Sequence, residues 1–127
     1  MTDKTAIRDK LVSLLATGDL ASAVQYLDPD FEIVAARPHP YAGTRRGAAG
    51  LAELVKGMLA TYAFEIVKPL ETFAGENPDE VVFRFALKGK VIATGEAFET
   101  TVLELWRFRN DRVSAIVPHW FEIPPTR

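Results

Sequence analysis

The chain has 127 residues, of which 48% are hydrophobic and 25% are charged, and its formal net charge is -2. This profile is typical of a globular protein and differs from that of disordered or membrane-spanning chains. The weakly acidic balance argues against nucleic acid as a partner, because phosphate contacts require a clustered positive surface. We therefore expect one domain over residues 1–127, with a substantial core and with neither nucleic acid nor membrane as a partner.

The chain contains two histidines and no cysteine. The lack of cysteine excludes disulfides and thiolate ligands, and no stretch has the ligand spacing of a zinc or calcium motif. The glycines do not form a phosphate-binding or dinucleotide-binding pattern. The start, MTDKTAIRDK, is charged and lacks the apolar core of a signal peptide. We expect no metal, no cofactor and a cytoplasmic location.

The first part of the chain is predicted to be helical. Apolar residues at helical spacing follow Asp3, a typical N-cap, and stop before Gly18, which predicts a first amphipathic helix. A second, shorter helix is predicted between Asp19 and Pro29. FEIVAA, which begins at Phe31, predicts a short strand.

The second part is predicted to be mainly sheet. Two prolines and two glycines in RPHPYAGTRRG (37–47) predict an irregular loop, and apolar spacing over 48–62 predicts a third helix. Strands and turns then alternate: a strand near 63–73, the turn GENPDE, the strand VVFRFALK, a turn at Lys88-Gly89-Lys90, a long strand ending in VLELWRF, a turn at Asn110-Asp111 and the strand RVSAIVPHWFEI. Helices before a meander predict an α+β fold, with one curved antiparallel sheet wrapped around about three N-terminal helices.

The strand VLELWRF (102–108) carries one carboxylate, Glu104, in an otherwise apolar run. Alternation places this carboxylate on the same face as two aromatic rings and a valine. An ionised carboxylate is costly to bury alone, so such a group is usually paired, kept neutral or functional. Two interpretations stay open: Glu104 is an acid in a ligand pocket, or it is structural and either pairs with an arginine such as Arg84 or Arg107 or lies at a sheet edge.

Other titratable residues are candidates for a base. His119 lies on the last strand, but alternation points it away from any pocket that Trp120 lines, unless a bulge intervenes. Glu122 shares the parity of Trp120 and is either a base at the pocket mouth or a solvated strand end. His39 and Tyr41 lie on the loop before the third helix, where they either cover a pocket or simply flank the turn.

The loop HPYAGTRRG, which enters the third helix, and the closing LELWRFRNDRVSAIVPHWFE carry a family resemblance. With the order of elements, they resemble the nuclear transport factor two-like superfamily, which includes the ketosteroid isomerases and the SnoaL-like polyketide cyclases. The resemblance implies a cone-shaped, cystatin-like α+β fold that encloses an apolar pocket. It also implies a homodimer that packs through the outer face of the sheet.

The resemblance also implies roles for single residues. Glu104 is similar to the aspartic acid that ketosteroid isomerases keep protonated as a hydrogen-bond donor. The positions of the oxyanion-hole tyrosine and of the general-base aspartate fall on Leu11 and Ala35. Because alanine cannot accept a proton, authentic ketosteroid isomerase activity is not expected.

These arguments predict a protein that binds a hydrophobic small molecule in an apolar pocket. Its predicted chemistry is cofactor-free acid/base catalysis, of isomerase, cyclase, dehydratase or hydrolase type, on a hydrophobic carbonyl or cyclic compound. The alternative is a ligand-binding or protein-interaction module without chemistry. The predicted catalytic residues are Glu104, His119 and Glu122. The predicted ligand-binding residues are Leu11, Leu15, Val55, Phe83, Trp106, Ile116 and Trp120.

Overall fold

The computed structural model describes residues 3–35 and 41–126. In chain order the elements are α1 (Lys4–Ala16), α2 (Leu20–Ala23), a 3-10 turn (Val24–Tyr26), β1 (Leu27–Ala35), β2 (Gly43–Arg46), α3 (Gly47–Thr61), β3 (Tyr62–Ala74), β4 (Glu80–Val91), β5 (Ala97–Arg109) and β6 (Arg112–Trp120). The strands form one curved, open sheet in the order β2-β1-β6-β5-β4-β3. The predicted α+β class, with helices first and a sheet around them, is confirmed.

Two aspartates start the first helices. The Asp3 carboxylate accepts a hydrogen bond from the Ala6 amide at 3.0 Å, and Asp19 accepts one from the Ser22 amide at 3.1 Å. Both predicted N-caps are therefore confirmed. The second helix is shorter than predicted, because the chain tightens into a 3-10 turn and Leu27 already pairs with β6.

The sheet is mixed rather than fully antiparallel. Strands β3 to β6 form the predicted antiparallel meander. The first strand, β1, runs parallel to β6 and antiparallel to β2. Since the whole meander lies between β1 and β6 in the chain, β6 can return beside β1 in the same direction.

The predicted loop 37–47 contains one regular element. Residues 43–46 form β2, which pairs with β1 at the edge of the sheet, so the prediction of an irregular loop is wrong for this part. Tyr41 lies beside α3, where its hydroxyl donates a hydrogen bond to the Gly57 carbonyl at 3.0 Å. His39 lies outside the described residues.

The predicted turn at Lys88-Gly89-Lys90 is wrong, because β4 continues through these residues to Val91. A Cβ atom at Gly89 would lie 2.3 Å from the Ala63 carbonyl oxygen, so this glycine permits a close approach of β3. The turn at Asn110-Asp111 is confirmed. Both residues have positive φ, 51° and 62°, as a two-residue hairpin turn requires.

The core lies between the concave face of the sheet and the helices α1 and α3. Leu11 and Phe31 have no exposed surface, and Trp106 packs edge-to-face on Phe83 with ring centroids 5.4 Å apart. None of the helices in residues 3–35 and 41–126 is long and apolar enough to cross a membrane.

Candidate ligand cavity

A cavity of about 180 Å³ lies inside the cone, between the sheet and the helices α1 and α3. Its lining consists of Val12, Leu15, Ala16, Ile33, Leu51, Leu54, Val55, Met58, Leu59, Phe64, Val67, Phe85, Leu87, Val102, Glu104, Trp106, Ile116 and Trp120. Among the described residues, Glu104 is the only titratable side chain in this lining. The cavity is therefore an apolar space with one acid.

The strand β5 brings Glu104 to the cavity. The register pairs Glu104 with Phe83 of β4 and with Pro118 of β6. Val102 and Trp106, two residues to either side, line the same cavity, as strand alternation predicts. The Trp106 indole N–H donates a hydrogen bond to Glu104 Oε1 at 3.0 Å, which holds the carboxyl group in place.

Burial raises the pKa of Glu104 from its ordinary 4.5 to about 7, and the hydrogen bond from Trp106 opposes this shift. Near neutral pH the carboxyl group is therefore present in both the protonated and the ionised form. The protonated form can donate a hydrogen bond, and the ionised form can accept a proton. A group poised in this way suits general acid or base work at neutral pH.

The alternative interpretation, a salt bridge between Glu104 and an arginine, is wrong for both named arginines. Arg84 forms its ion pair with Glu71, and Arg107 lies 3.7 Å from Glu80. Within the described part of the chain, Glu104 belongs to none of the salt bridges.

The two predicted base residues do not line the cavity. His119 is exposed and pairs with Leu103, whose side chain lies on the opposite face of β5 from Glu104. The Glu122 side chain is also exposed. The Glu122 backbone is held by Thr100, whose hydroxyl accepts from the Glu122 amide at 3.1 Å and lies 2.8 Å from its carbonyl oxygen. The structure thus does not bring either side chain to Glu104.

Five of the seven residues predicted to contact a ligand lie in the cavity lining: Leu15, Val55, Trp106, Ile116 and Trp120. The other two, Leu11 and Phe83, have no exposed surface and belong to the packed core instead. The positions expected to hold a tyrosine and an aspartate in a ketosteroid isomerase, Leu11 and Ala35, are both buried.

Sequence reasoning missed two cavity residues of β3, Phe64 and Val67. A bulge between Phe64 and Ile66 shifts the register, so residues three apart face the same side. Strict alternation would have put them on opposite faces. In the sequence, only Gly89 indicates the bulge in β3. It pairs with Phe64 and lets β3 approach closely.

No three histidine, aspartate or glutamate side chains of residues 3–35 and 41–126 come together as metal ligands would. The fold and the cavity define the class: an α+β cone with an apolar interior space and one partly buried acid. A family model of the SnoaL-like domain matches residues 9–116. The chain belongs to the SnoaL-like domain family. No curated protein matches it.

Solved structures share the fold of this chain. An NTF2-like protein of Burkholderia xenovorans is 23% identical, with a TM-score of 0.79 over 91% of this chain and 87% of its own. A cystatin-like-fold protein of unknown function from Xanthomonas campestris is 19% identical, with a TM-score of 0.76 over 96% and 92%. A protein of Catenulispora acidiphila with a ketosteroid isomerase-like fold, crystallised with trimethylamine, is 13% identical, with a TM-score of 0.75 over 94% and 86%. At such identities the likeness establishes the fold alone.

Proposed function

We propose that the protein binds a small apolar carbonyl compound in the cavity and that Glu104 transfers a proton to or from it. The observation that carries this proposal is the placement of one carboxyl group, with a pKa of about 7, in an otherwise apolar lining. Apolar walls bind a hydrophobic body, and a single polar group fixes its orientation.

One carboxyl group is enough for an isomerisation. The ionised Glu104 takes a proton from the carbon beside the carbonyl, and the electron pair of the broken C–H bond forms an enolate. When the substrate has a C=C bond between its β- and γ-carbons, the enolate extends over that bond. The same carboxyl group, now protonated, returns the proton to the γ-carbon, which shifts the C=C bond to the α,β-position, restores Glu104 and needs no cofactor. The hydrogen bond from Trp106 stabilises the ionised form that begins the cycle.

Hydrogen–deuterium exchange tests this step without knowledge of the natural substrate. We expect the protein in D2O to accelerate exchange at the carbons beside the carbonyl of 2-hexanone, as followed by proton NMR. The acceleration should rise with pH around the Glu104 pKa of about 7, since the ionised form is the base. Glu104→Gln should abolish it. Glu99→Gln, an exposed position on the same strand, should not change it.

A second candidate function is ligand binding without chemistry. It is favoured by the lining, because none of the other described residues around the cavity is titratable. Binding of 2-hexanone without any accelerated exchange would support this candidate and overturn proton transfer. If 2-hexanone does not bind at all, the proposal of a carbonyl ligand is wrong.

We also propose that two copies associate through the outer face of the sheet. An apolar row crosses four strands there, at Phe73, Val82, Leu105 and Val117, which are paired in register. These residues lie outside the hydrophobic cluster that the sheet forms with the helices. An ion pair flanks the row on each side: Arg84 with Glu71, and Arg107 with Glu80. Since each flank carries both signs of charge, a second copy can face it without net repulsion.

A further inference from the structure

A groove of about 550 Å³ runs along the outside of the cone between α1 and β3. Five of its lining residues also line the inner cavity: Val12, Ala16, Leu59, Phe64 and Val67. Its other lining residues include Asp9, Ser13, Glu65 and Ile92. The groove and the cavity therefore adjoin each other at the five shared residues, here called the gate.

The inner cavity is small for a ligand site. Its volume of about 180 Å³ is close to the ~150 Å³ that admits one benzene-sized molecule. Typical sites for small molecules occupy roughly 300–1,000 Å³. A larger apolar ligand can be accommodated only if part of it extends beyond the cavity, and the groove is an adjacent space that shares five apolar residues with it.

The gate lies at a weakly constrained part of the sheet. The strand β3 is an edge strand, so it is paired on one side only. The bulge between Phe64 and Ile66 leaves Glu65 without a register partner beside the gate. Backbone with fewer ladder hydrogen bonds opens at lower cost than the central strands, so this is the part of the wall best suited to admit a ligand.

The charged residues that line the cavity and the groove disfavour the binding of an anionic ligand. The described residues that line the groove include two acids, Asp9 and Glu65, and those of the groove and cavity include no lysine, arginine or histidine. Asp9 is paired with Arg8, whereas Glu65 is exposed on the groove side. A carboxylate tail would meet negative charge at the groove and would find no cation in either space. An uncharged tail meets mainly apolar surface, including the half-exposed Ile92.

We infer that the natural ligand is an elongated, uncharged carbonyl compound whose carbonyl end lies at Glu104 and whose apolar tail passes the gate into the groove between α1 and β3. This inference rests on the proposed function and adds the shape and charge of the substrate. The carbonyl end fills the inner cavity, and the tail fills the groove up to Ile92.

A series of 2-alkanones from four to ten carbons tests the inference. Trp106 and Trp120, the only two tryptophans, both line the cavity, so their fluorescence reports binding. We expect Kd to fall by about fourfold for each added methylene, as burial of a CH₂ group predicts, and to keep falling beyond 2-hexanone. Decanoate should bind more weakly than 2-decanone.

A variant in the groove distinguishes ligand binding in the groove from ligand binding in the cavity. Ser13 lines the groove and not the cavity. Ser13→Phe should therefore raise the Kd of 2-decanone by tenfold or more, the effect of losing the burial of about two to three methylenes. It should leave the Kd of 2-hexanone unchanged. Ala60→Phe, an exposed position on α3 outside both linings, is the matched control. The inference is overturned if affinity levels off at 2-hexanone, if Ser13→Phe affects both ketones equally, or if decanoate binds as tightly as 2-decanone. In those cases 2-hexanone binding with accelerated exchange at its carbons still supports the proposed function; if neither ketone binds, both proposals fail.

Discussion

Glu104 should make the protein less stable as pH rises. Its pKa is about 7 in the folded state and 4.5 ordinarily, so the folded protein binds this proton more tightly than the unfolded chain. The free energy of unfolding contributed by this group is therefore greatest below pH 4.5 and decreases as pH rises through 7. The full loss is on the order of 3 kcal/mol.

Glu104→Gln should remove this pH dependence, because the amide has the shape of the protonated acid and does not ionise. Urea unfolding at pH 5 and at pH 8 measures the effect. We expect the variant to be more stable than the wild type at pH 8, and the difference to shrink at pH 5. Glu99→Gln should behave like the wild type. If the stabilities of the Glu104→Gln variant and of the wild type change in parallel with pH, the pKa of Glu104 is not raised in the folded protein.

Trp106 also affects the pKa of the Glu104 carboxyl group. Its indole N–H donates to Glu104 Oε1 and lowers the carboxyl pKa against the effect of burial. Trp106→Phe keeps an aromatic ring but removes this donor, so we expect the Glu104 pKa to rise above 7. A ¹³C NMR titration of the Glu104 carboxyl carbon measures it. Trp120→Phe, which leaves the Trp106 hydrogen bond intact, should shift this pKa less; an unchanged pKa in Trp106→Phe would contradict the assignment.

The sequence was sufficient to place Glu104, but not to find a catalytic partner for it. The orientation of Glu104 follows from alternation along a long, regular strand, which depends only on backbone geometry. His119 and Glu122 were candidates because of their chemistry, and their exposure depends on register and on the path of the chain after β6. Whether the interior is packed or hollow depends on the summed volumes of many side chains, which periodicity does not report.

The strand β4 depends on Gly89, which the sequence pattern predicted to lie in a turn. A side chain at Gly89 would collide with the Ala63 carbonyl, which lies 2.3 Å from the Cβ position. Gly89→Ala should therefore lower the free energy of unfolding by roughly 1–3 kcal/mol, as overpacking does. Gly75→Ala, where a Cβ atom meets nothing within 4 Å, is the control and should change little. Chemical denaturation of both variants measures the difference, and equal stabilities would contradict the proposed close approach.

A charge clamp joins the start of β1 to the end of β5. The Asp28 carboxylate, which is 5% exposed, accepts two hydrogen bonds from the Arg109 guanidinium and one from the Asp30 amide at 2.9 Å. The hydrogen bond with Arg109 is the main reason that the pKa of Asp28 lies below its ordinary 3.8. The clamp spans β6, which lies between these two strands.

Arg109→Met should destabilise the protein in a pH-dependent way. Because the folded-state pKa of Asp28 is lowered, the clamp contributes fully above pH 3.8 and is lost as pH falls through the lower folded-state value. We expect the Tm of the variant to lie below that of the wild type at pH 6, and the gap to narrow below pH 3.8. Arg107→Met removes an exposed arginine of the same strand, which lies 3.7 Å from the half-buried Glu80, and should cause a smaller loss. A gap that stays constant with pH would exclude the clamp as its cause.

For the whole molecule, the order of the elements was predictable and one pairing was not. Caps, helical spacing and strand alternation are local patterns, and they predicted helices followed by a meander. The parallel contact between β1 and β6 joins residues far apart in the chain, for instance Ile33 and Ile116. A local pattern carries no information about such a pairing, which arises when the meander curls and β6 returns to the free edge of β1.

The apolar row on the outer face of the sheet should determine whether the protein is a dimer or a monomer. If two copies pack through the apolar row, Leu105→Lys at its centre should place a charge in the interface and give a monomer. Ile92→Lys is the control, because Ile92 is also an exposed apolar residue but lies on the α1–β3 groove. Sedimentation equilibrium should show a dimer for the wild type and for Ile92→Lys, and a monomer for Leu105→Lys. A monomeric wild type would rule the association out. A dimer that survives Leu105→Lys would place the interface on another surface, because an unpaired ammonium group at the centre of a dry interface costs more than a row of this size gains.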